Sequence, residues 1–224
     1  MALKLVIGNK NYSSWSMRPW VLLREAGIAF EEVQLKFDDA GHIAEARQYS
    51  PAGQVPVLLV GSGPVWDSLA ICETAAEMFP DKQLWPAETR ARQLARSICA
   101  EMHAGFRNLR RAMPMNIRSS FPGKGMSPEV QHDIDHIVAI WHSCRERHAG
   151  QGDMLFGRFS VADAYYAPVV MRFMTHAVAL PPQAQAYADA VCALSSVREW
   201  MAAALLETEF VAADEPYAQV RSEG

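Results

Sequence analysis

The sequence predicts an α/β domain over residues 1–80 and an all-α domain over 89–224, joined by a linker at 81–88. Three observations predict this division. Strand-like runs are confined to the first third of the chain, where they interleave with helix-like segments. A proline-bounded stretch, Pro80 to Pro86, follows them. Beyond it, apolar residues recur at three- and four-residue spacing.

The elements follow in order. Residues 3–8 read as a strand, with Leu3, Leu5 and Ile7 alternating with Lys4 and Val6. Trp15 to Glu25 reads as a helix that tolerates Pro19 in its first turn and stops at Gly27. Phe30 to Leu35 is a second strand, and residues 42–49 a short helix. Val55 to Val60 is a buried strand opened by Pro56, Gly61-Ser62-Gly63-Pro64 a hairpin turn, and Val65-Trp66 the return. Ser68 is placed to cap a helix running to Phe79. The order β-α-β-α-β-β-α fits a mixed sheet with helices on both faces.

In the second domain, Leu94, Ile98, Met102, Phe106, Leu109 and Met113 mark one helical stripe, followed by a Pro- and Gly-rich loop from Pro114 to Pro128. Ile134, Ile137, Val138 and Trp141 mark a second helix. Ser160-Val161-Ala162-Asp163 opens a third as a variant capping box. Residues 183–191 and 195–206 read as two more, and the tail after Glu207 is left unassigned.

Composition narrows the function. Half of the 224 residues are hydrophobic, enough for a real core. A net charge of -4 gives no electrostatic case for nucleic acid or an acidic membrane. Cys72, Cys99, Cys144 and Cys192 are widely spaced, as expected of small buried hydrophobes in a reducing compartment rather than a disulfide or zinc framework. No apolar run reaches membrane-spanning length, and no signal segment is read at the start, so a soluble, cytoplasmic protein is expected.

Three segments of the first domain are candidates to meet at one ligand. Tyr12-Ser13-Ser14-Trp15-Ser16 lies at a strand-to-helix turn, where free N–H groups and the helix dipole favour an anion. A hydroxyl there can donate to a thiolate; equally, Ser13 can simply cap the helix. Gln54-Val55-Pro56 precedes a buried strand. A cis proline would turn the Val55 backbone toward a peptide-like ligand, and a trans one would merely start the strand. Asp67-Ser68 opens a helix, where a carboxylate and a hydroxyl beside free N–H groups suit an α-amino acid head. Ser68 as a plain cap is the alternative.

Together these segments carry a resemblance. Ser13-Ser14-Trp15-Ser16-Met17-Arg18 is similar to the Ser-Ser-Cys motif, followed by arginine, of zeta-class enzymes among serine-dependent cytosolic glutathione S-transferases. Ser50 to Leu58 resembles that family's cis-proline loop, Asp67 to Ile71 its Glu/Gln-Ser-x-Ala-Ile motif, and Ser160 to Asp163 the start of its central C-terminal helix. The resemblance implies a thioredoxin-like α/β first domain, an all-helical second domain, a homodimer, and reduced glutathione as cosubstrate without a metal.

It implies that Ser13 activates the thiol, with Ser14 as neighbour or substitute. Val55 would pair its backbone with the cysteinyl unit beside a cis Pro56, Asp67 and Ser68 would hold the γ-glutamyl group, and Gln54 would assist at the backbone or glycine end. Trp15 stands where the zeta motif has cysteine, which argues against the zeta isomerase activity. The alternatives are a non-enzymatic glutathione-binding regulator on the same fold, and a glutathione-dependent isomerase or peroxidase.

A second substrate, hydrophobic or anionic and electrophilic, is expected between the domains. Candidate walls are Trp15, Phe106, Arg110, Arg111, Met115 and Asn116. The arginines suit an anion, or else form the solvated face of a helix. His132 and His136 share a helix face at metal-ligand spacing, but Asp133 breaks the H-E-x-x-H pattern and no third ligand follows. Gly123-Lys124-Gly125 is no phosphate loop, and Gly61-Ser62-Gly63 no nucleophile elbow.

Overall fold

The computed structural model describes residues 3–61 and 63–218. The expected hairpin turn includes Ser62, which lies outside the described residues. Four strands, β1 (Leu3–Ile7), β2 (Phe30–Gln34), β3 (Val57–Val60) and β4 (Gly63–Trp66), form one sheet in the order β2-β1-β3-β4. β2 runs parallel to β1, with Leu5 opposite Glu32, and β3 runs antiparallel, with Leu5 opposite Leu58. β1 is central and covered on both faces, so all of its residues but Lys4 are buried. β3 begins at Val57 rather than Val55, because Pro56 follows a cis peptide bond and has no N–H to give to a ladder.

The helices of this domain are α1 (Ser14–Glu25) and α2 (Ser68–Met78). Gly27, at φ 65°, ends α1 in a Schellman turn: its N–H reaches Arg24 O at 3.0 Å and that of Ile28 reaches Leu23 O at 2.9 Å. The short helix expected at 42–49 is a 3-10 turn over Ala44–Gln48. The stretch expected as a linker opens with another, Pro80–Lys82, and then buries Leu84 and Trp85. It is therefore anchored rather than free.

Six helices follow among the described residues: α3 (Thr89–Ala104), α4 (Arg107–Ala112), α5 (Pro128–Arg147), α6 (Val161–Thr175), α7 (Pro182–Ala193) and α8 (Ser195–Leu205). The stripe from Leu94 to Met113 is thus broken into two helices. Gly105 ends α3 in an extended conformation and Phe106 turns left-handed, at φ 55°, before α4.

α6 is the axis of the helical domain. Apart from Met174 it is buried on every side, and it packs on α1 and α3. The expected capping box opens it. The buried Asp163 carboxylate accepts from Ser160 N and Leu155 N at 2.9 Å each, and from the Tyr187 hydroxyl at 3.2 Å. Because α1 packs on both α6 and α8, the far end of α6 comes up against the first turn of α1.

The tail doubles back over that turn. Glu207 accepts the backbone N–H groups of Lys10 and Asn11, and the Tyr12 hydroxyl donates to Glu215 at 2.7 Å. No described helix is long and apolar enough to cross a membrane.

Candidate functional site

A cleft of about 880 Å³ lies where the two domains meet. The first domain supplies three edges. Ser13, Ser14 and Trp15 come from the start of α1, Gly53 to Pro56 from the loop before β3, and Trp66 to Ser68 from the start of α2. The helical domain faces them with Arg110, Met115 and Arg172, and Asp214 closes the rim from the tail.

The two serines are held differently. Ser13 caps α1: its Oγ accepts weakly from Ser16 N at 3.4 Å and donates to Ser16 Oγ at 2.8 Å. Ser16 Oγ also accepts from Gly8 N, so the Ser13 hydroxyl is tied into the protein. Ser14 Oγ instead accepts from Arg172 Nη2 at 3.1 Å. Tyr12 also borders the cleft, but its hydroxyl is held by the tail, and burial with the neighbouring Glu215 pushes it above the usual phenol range.

The Val55-Pro56 bond is cis, of the two alternatives open from sequence. At α2 the expected cap is corrected. Asp67, not Ser68, is the N-cap, accepting from Leu69 N at 2.9 Å, and Ser68 is the first helical residue. Asp67 has φ 72°, a left-handed backbone that Asp and Asn tolerate better than most residues. Its second oxygen meets His103 Nε2 at 3.3 Å. The Ser68 hydroxyl lies 3.1 Å from that of Tyr165.

Charge where the two domains meet is concentrated and unbalanced. The guanidinium groups of Arg18, at 4.2 Å, and Arg110, at 4.7 Å, both lie over the Trp15 ring. Arg18 is buried against Tyr165 as well, with Nε and Nη1 unpartnered, and Arg110 Nε is also unpartnered. Among the described residues no carboxylate forms an ion pair with Arg18, Arg110 or Arg172. Burial, then the other two guanidiniums, pulls Arg172 down to about 9; burial and Arg18 pull Arg110 down to about 10. Both still carry their charge at neutral pH, so this wall is a cationic surface.

Ten of the thirteen candidates from sequence border the cleft: Ser13, Ser14, Trp15, Gln54, Val55, Pro56, Asp67, Ser68, Arg110 and Met115. Three expected pocket walls are placed elsewhere. Phe106 turns inward to stack on His136 at 5.7 Å, because the left-handed turn at its own position redirects it. Arg111 is exposed on the other side of α4. Asn116 is buried, accepting from Asn11 Nδ2 at 2.9 Å.

Arg172 and Asp214 were not found from sequence. The signal for Arg172 is a lone cation within the otherwise uncharged run Ala164 to Thr175; Asp214 has none. Of the histidine pair, His136 bonds Glu101 at 2.7 Å, and the described residues contain no group of three acidic, His or Cys side chains that would hold a metal.

Comparison with known proteins agrees with this architecture. Residues 12–78 match the family described as glutathione S-transferase, N-terminal domain. The chain is 25% identical over 177 residues to glutathione S-transferase 1 of Dianthus caryophyllus, covering 77% of this chain and 78% of that protein. It is 29% identical over 96 residues to a probable maleylacetoacetate isomerase of Caenorhabditis elegans, covering 43% of this chain and 44% of that one. Its fold matches a glutathione transferase homolog from Burkholderia, solved with bound glutathione, at a TM-score of 0.69 and 22% identity, over 91% of this chain and 98% of that one. The architecture is the glutathione S-transferase fold, a thioredoxin-like domain followed by a helical one.

Proposed function

We propose that this chain is a member of the glutathione S-transferase family, binds reduced glutathione in the interdomain cleft and joins the glutathione thiolate to an electrophilic small molecule. The carrying observation is the convergence, on one cleft, of a serine pair at a helix start, a cis-proline loop and an acidic helix cap. Each suits a different part of one tripeptide. Asp67 offers a carboxylate to the γ-glutamyl ammonium, and Ser68 lies at the helix start suited to its carboxylate. The Val55 backbone beside Pro56 pairs with the cysteinyl unit. Gln54 and Arg47, whose side chain lies against Gly53, serve the glycine end.

The chemistry is thiolate stabilisation. A free thiol with a pKa of about 8.5 is mostly protonated at neutral pH. A hydroxyl of the Ser13–Ser14 pair, donating to sulfur, favours the thiolate, and the thiol proton leaves to solvent. The thiolate then attacks the electrophilic carbon. A C–S bond forms, and either the leaving group departs with its bonding pair or, in an addition, the π pair of the attacked double bond moves onto the acceptor and is protonated by water. Orientation in the cleft and a preformed donor carry the rate. Trp15, Arg110 and Met115 suit an acceptor that is apolar in its body or carries an anionic group. The family resemblance supports a cytoplasmic location and a homodimer, the latter testable by light scattering.

Calorimetric titration with glutathione and with S-methylglutathione tests the function. Saturable binding of both, with proton release for the free thiol alone, is expected. No binding of either at millimolar concentration overturns the function.

A further inference from the structure

Resting on that function, we propose that Ser14 is the hydroxyl that donates to the glutathione sulfur, and that Arg172 is its positioning residue, acting on the thiolate through Ser14. The two serines differ in what their hydroxyls already do. Ser13 accepts from the backbone of its own helix and spends its proton on Ser16. Ser14 accepts from a guanidinium, and among the described residues nothing accepts its proton, although it borders the cleft. An oxygen that receives a charged donor while its own proton is uncommitted is a polarised donor, and hydrogen bonds in series strengthen one another.

Arg172 is fixed for this task. It is 7% exposed, and its Nη1 donates to the Met113 carbonyl at the end of α4 and, at 3.5 Å, to that of Arg110. Its Nη2 is thereby aimed across the domain boundary at α1, since α6 packs along that helix. The charged groups facing it are Arg110 from α4, Arg18 from α1 and Asp214 from the tail. The two arginines oppose its charge and Asp214 supports it, so Arg172 lacks a close ion pair to absorb its field. A sulfur anion at Ser14 would receive that field through one hydroxyl.

The test follows the thiolate absorbance of bound glutathione against pH in the full chain and in S13A, S14A, R172K, R172Q and the S14A/R172Q pair. S14A and R172Q are each expected to raise the bound thiol's pKa by about one unit, a tenfold loss of thiolate at fixed pH. The pair should shift no further than S14A alone, R172K should recover most of the depression, and S-methylglutathione affinity should change less than about threefold. A larger shift from S13A than from S14A overturns the assignment, as does an undiminished effect of R172Q in the S14A background. If R172Q does not fold, R172K carries the arginine test, its smaller shift again expected to vanish in the S14A background. Bound glutathione with an unshifted thiol in the unaltered chain overturns this inference and the thiolate chemistry, while leaving glutathione binding in place. Failure of both glutathione and S-methylglutathione to bind overturns the proposed function instead.

Discussion

Asp67 spans the domain boundary: one carboxylate oxygen caps α2 at Leu69 N, and the other meets His103 Nε2 on α3 at 3.3 Å. Burial, opposed by Asp67, draws His103 below the usual imidazole range, so it is neutral at pH 7. The Asp67 charge is therefore left for a ligand ammonium. D67N keeps an oxygen for the cap and a residue that tolerates φ 72°. It should lower glutathione affinity about tenfold, equivalent to about 1.4 kcal/mol, by calorimetry, and change the unfolding free energy by less than about 0.5 kcal/mol.

Glu207 anchors the returning tail to the turn before α1, accepting Lys10 N at 2.6 Å and Asn11 N at 2.9 Å. Both donors lie next to the segment that carries the serines. E207A removes these two charge-assisted bonds and a third from Gln34 Nε2, and should cost about 1–3 kcal/mol in denaturant unfolding. Faster hydrogen exchange at Lys10 and Asn11 should accompany it; unchanged protection would mean that the tail does not hold this turn.

The first domain was largely legible from sequence because its signals are local. Pro56 before an apolar run, Gly27 after a helix and Ser13 at a turn each act within a few residues of themselves. The helical side was less legible because its contacts are long-range. Ser14 meets Arg172, 158 positions away. Phe106 keeps the helical spacing of its neighbours, yet Gly105 and its own left-handed backbone break the stripe and turn its ring away from the cleft. Arg110 and Arg111 are adjacent and chemically identical, so only packing separates the one that stacks on Trp15 from the one in solvent.

The capping box of α6 predicts a pH dependence. Complete burial pushes Asp163 up to about 6 from an ordinary 3.8, against the hydrogen bonds from Leu155, Ser160 and Tyr187. A carboxyl group whose pKa is higher folded than unfolded binds its proton more tightly in the native state. Its stabilising share is full below the unfolded value and is lost as pH rises through about 6. The stability gap between the unaltered chain and D163A should therefore shrink by roughly 2 kcal/mol between pH 4 and pH 7. D163A should remain the less stable at pH 7, because it orphans the buried N–H groups of Leu155 and Ser160. A gap that is flat across this range would mean that Asp163 titrates alike folded and unfolded.

The two neighbouring arginines of α4 give the last prediction. Arg110 donates to the His103 carbonyl at 3.0 Å and to that of Met102, which holds its guanidinium over Trp15 on the cleft wall. It repels Arg172 and Arg18 there, and an anionic acceptor would relieve that repulsion. R110A should raise KM for anionic acceptors about tenfold while altering that for neutral ones much less. Arg111 points to solvent, where a charge contributes little at a distance, so R111A should leave KM for both within about twofold. Equal losses for neutral and anionic acceptors in R110A would mean that the side chain serves packing of Trp15, and that the cationic wall does not select the second substrate.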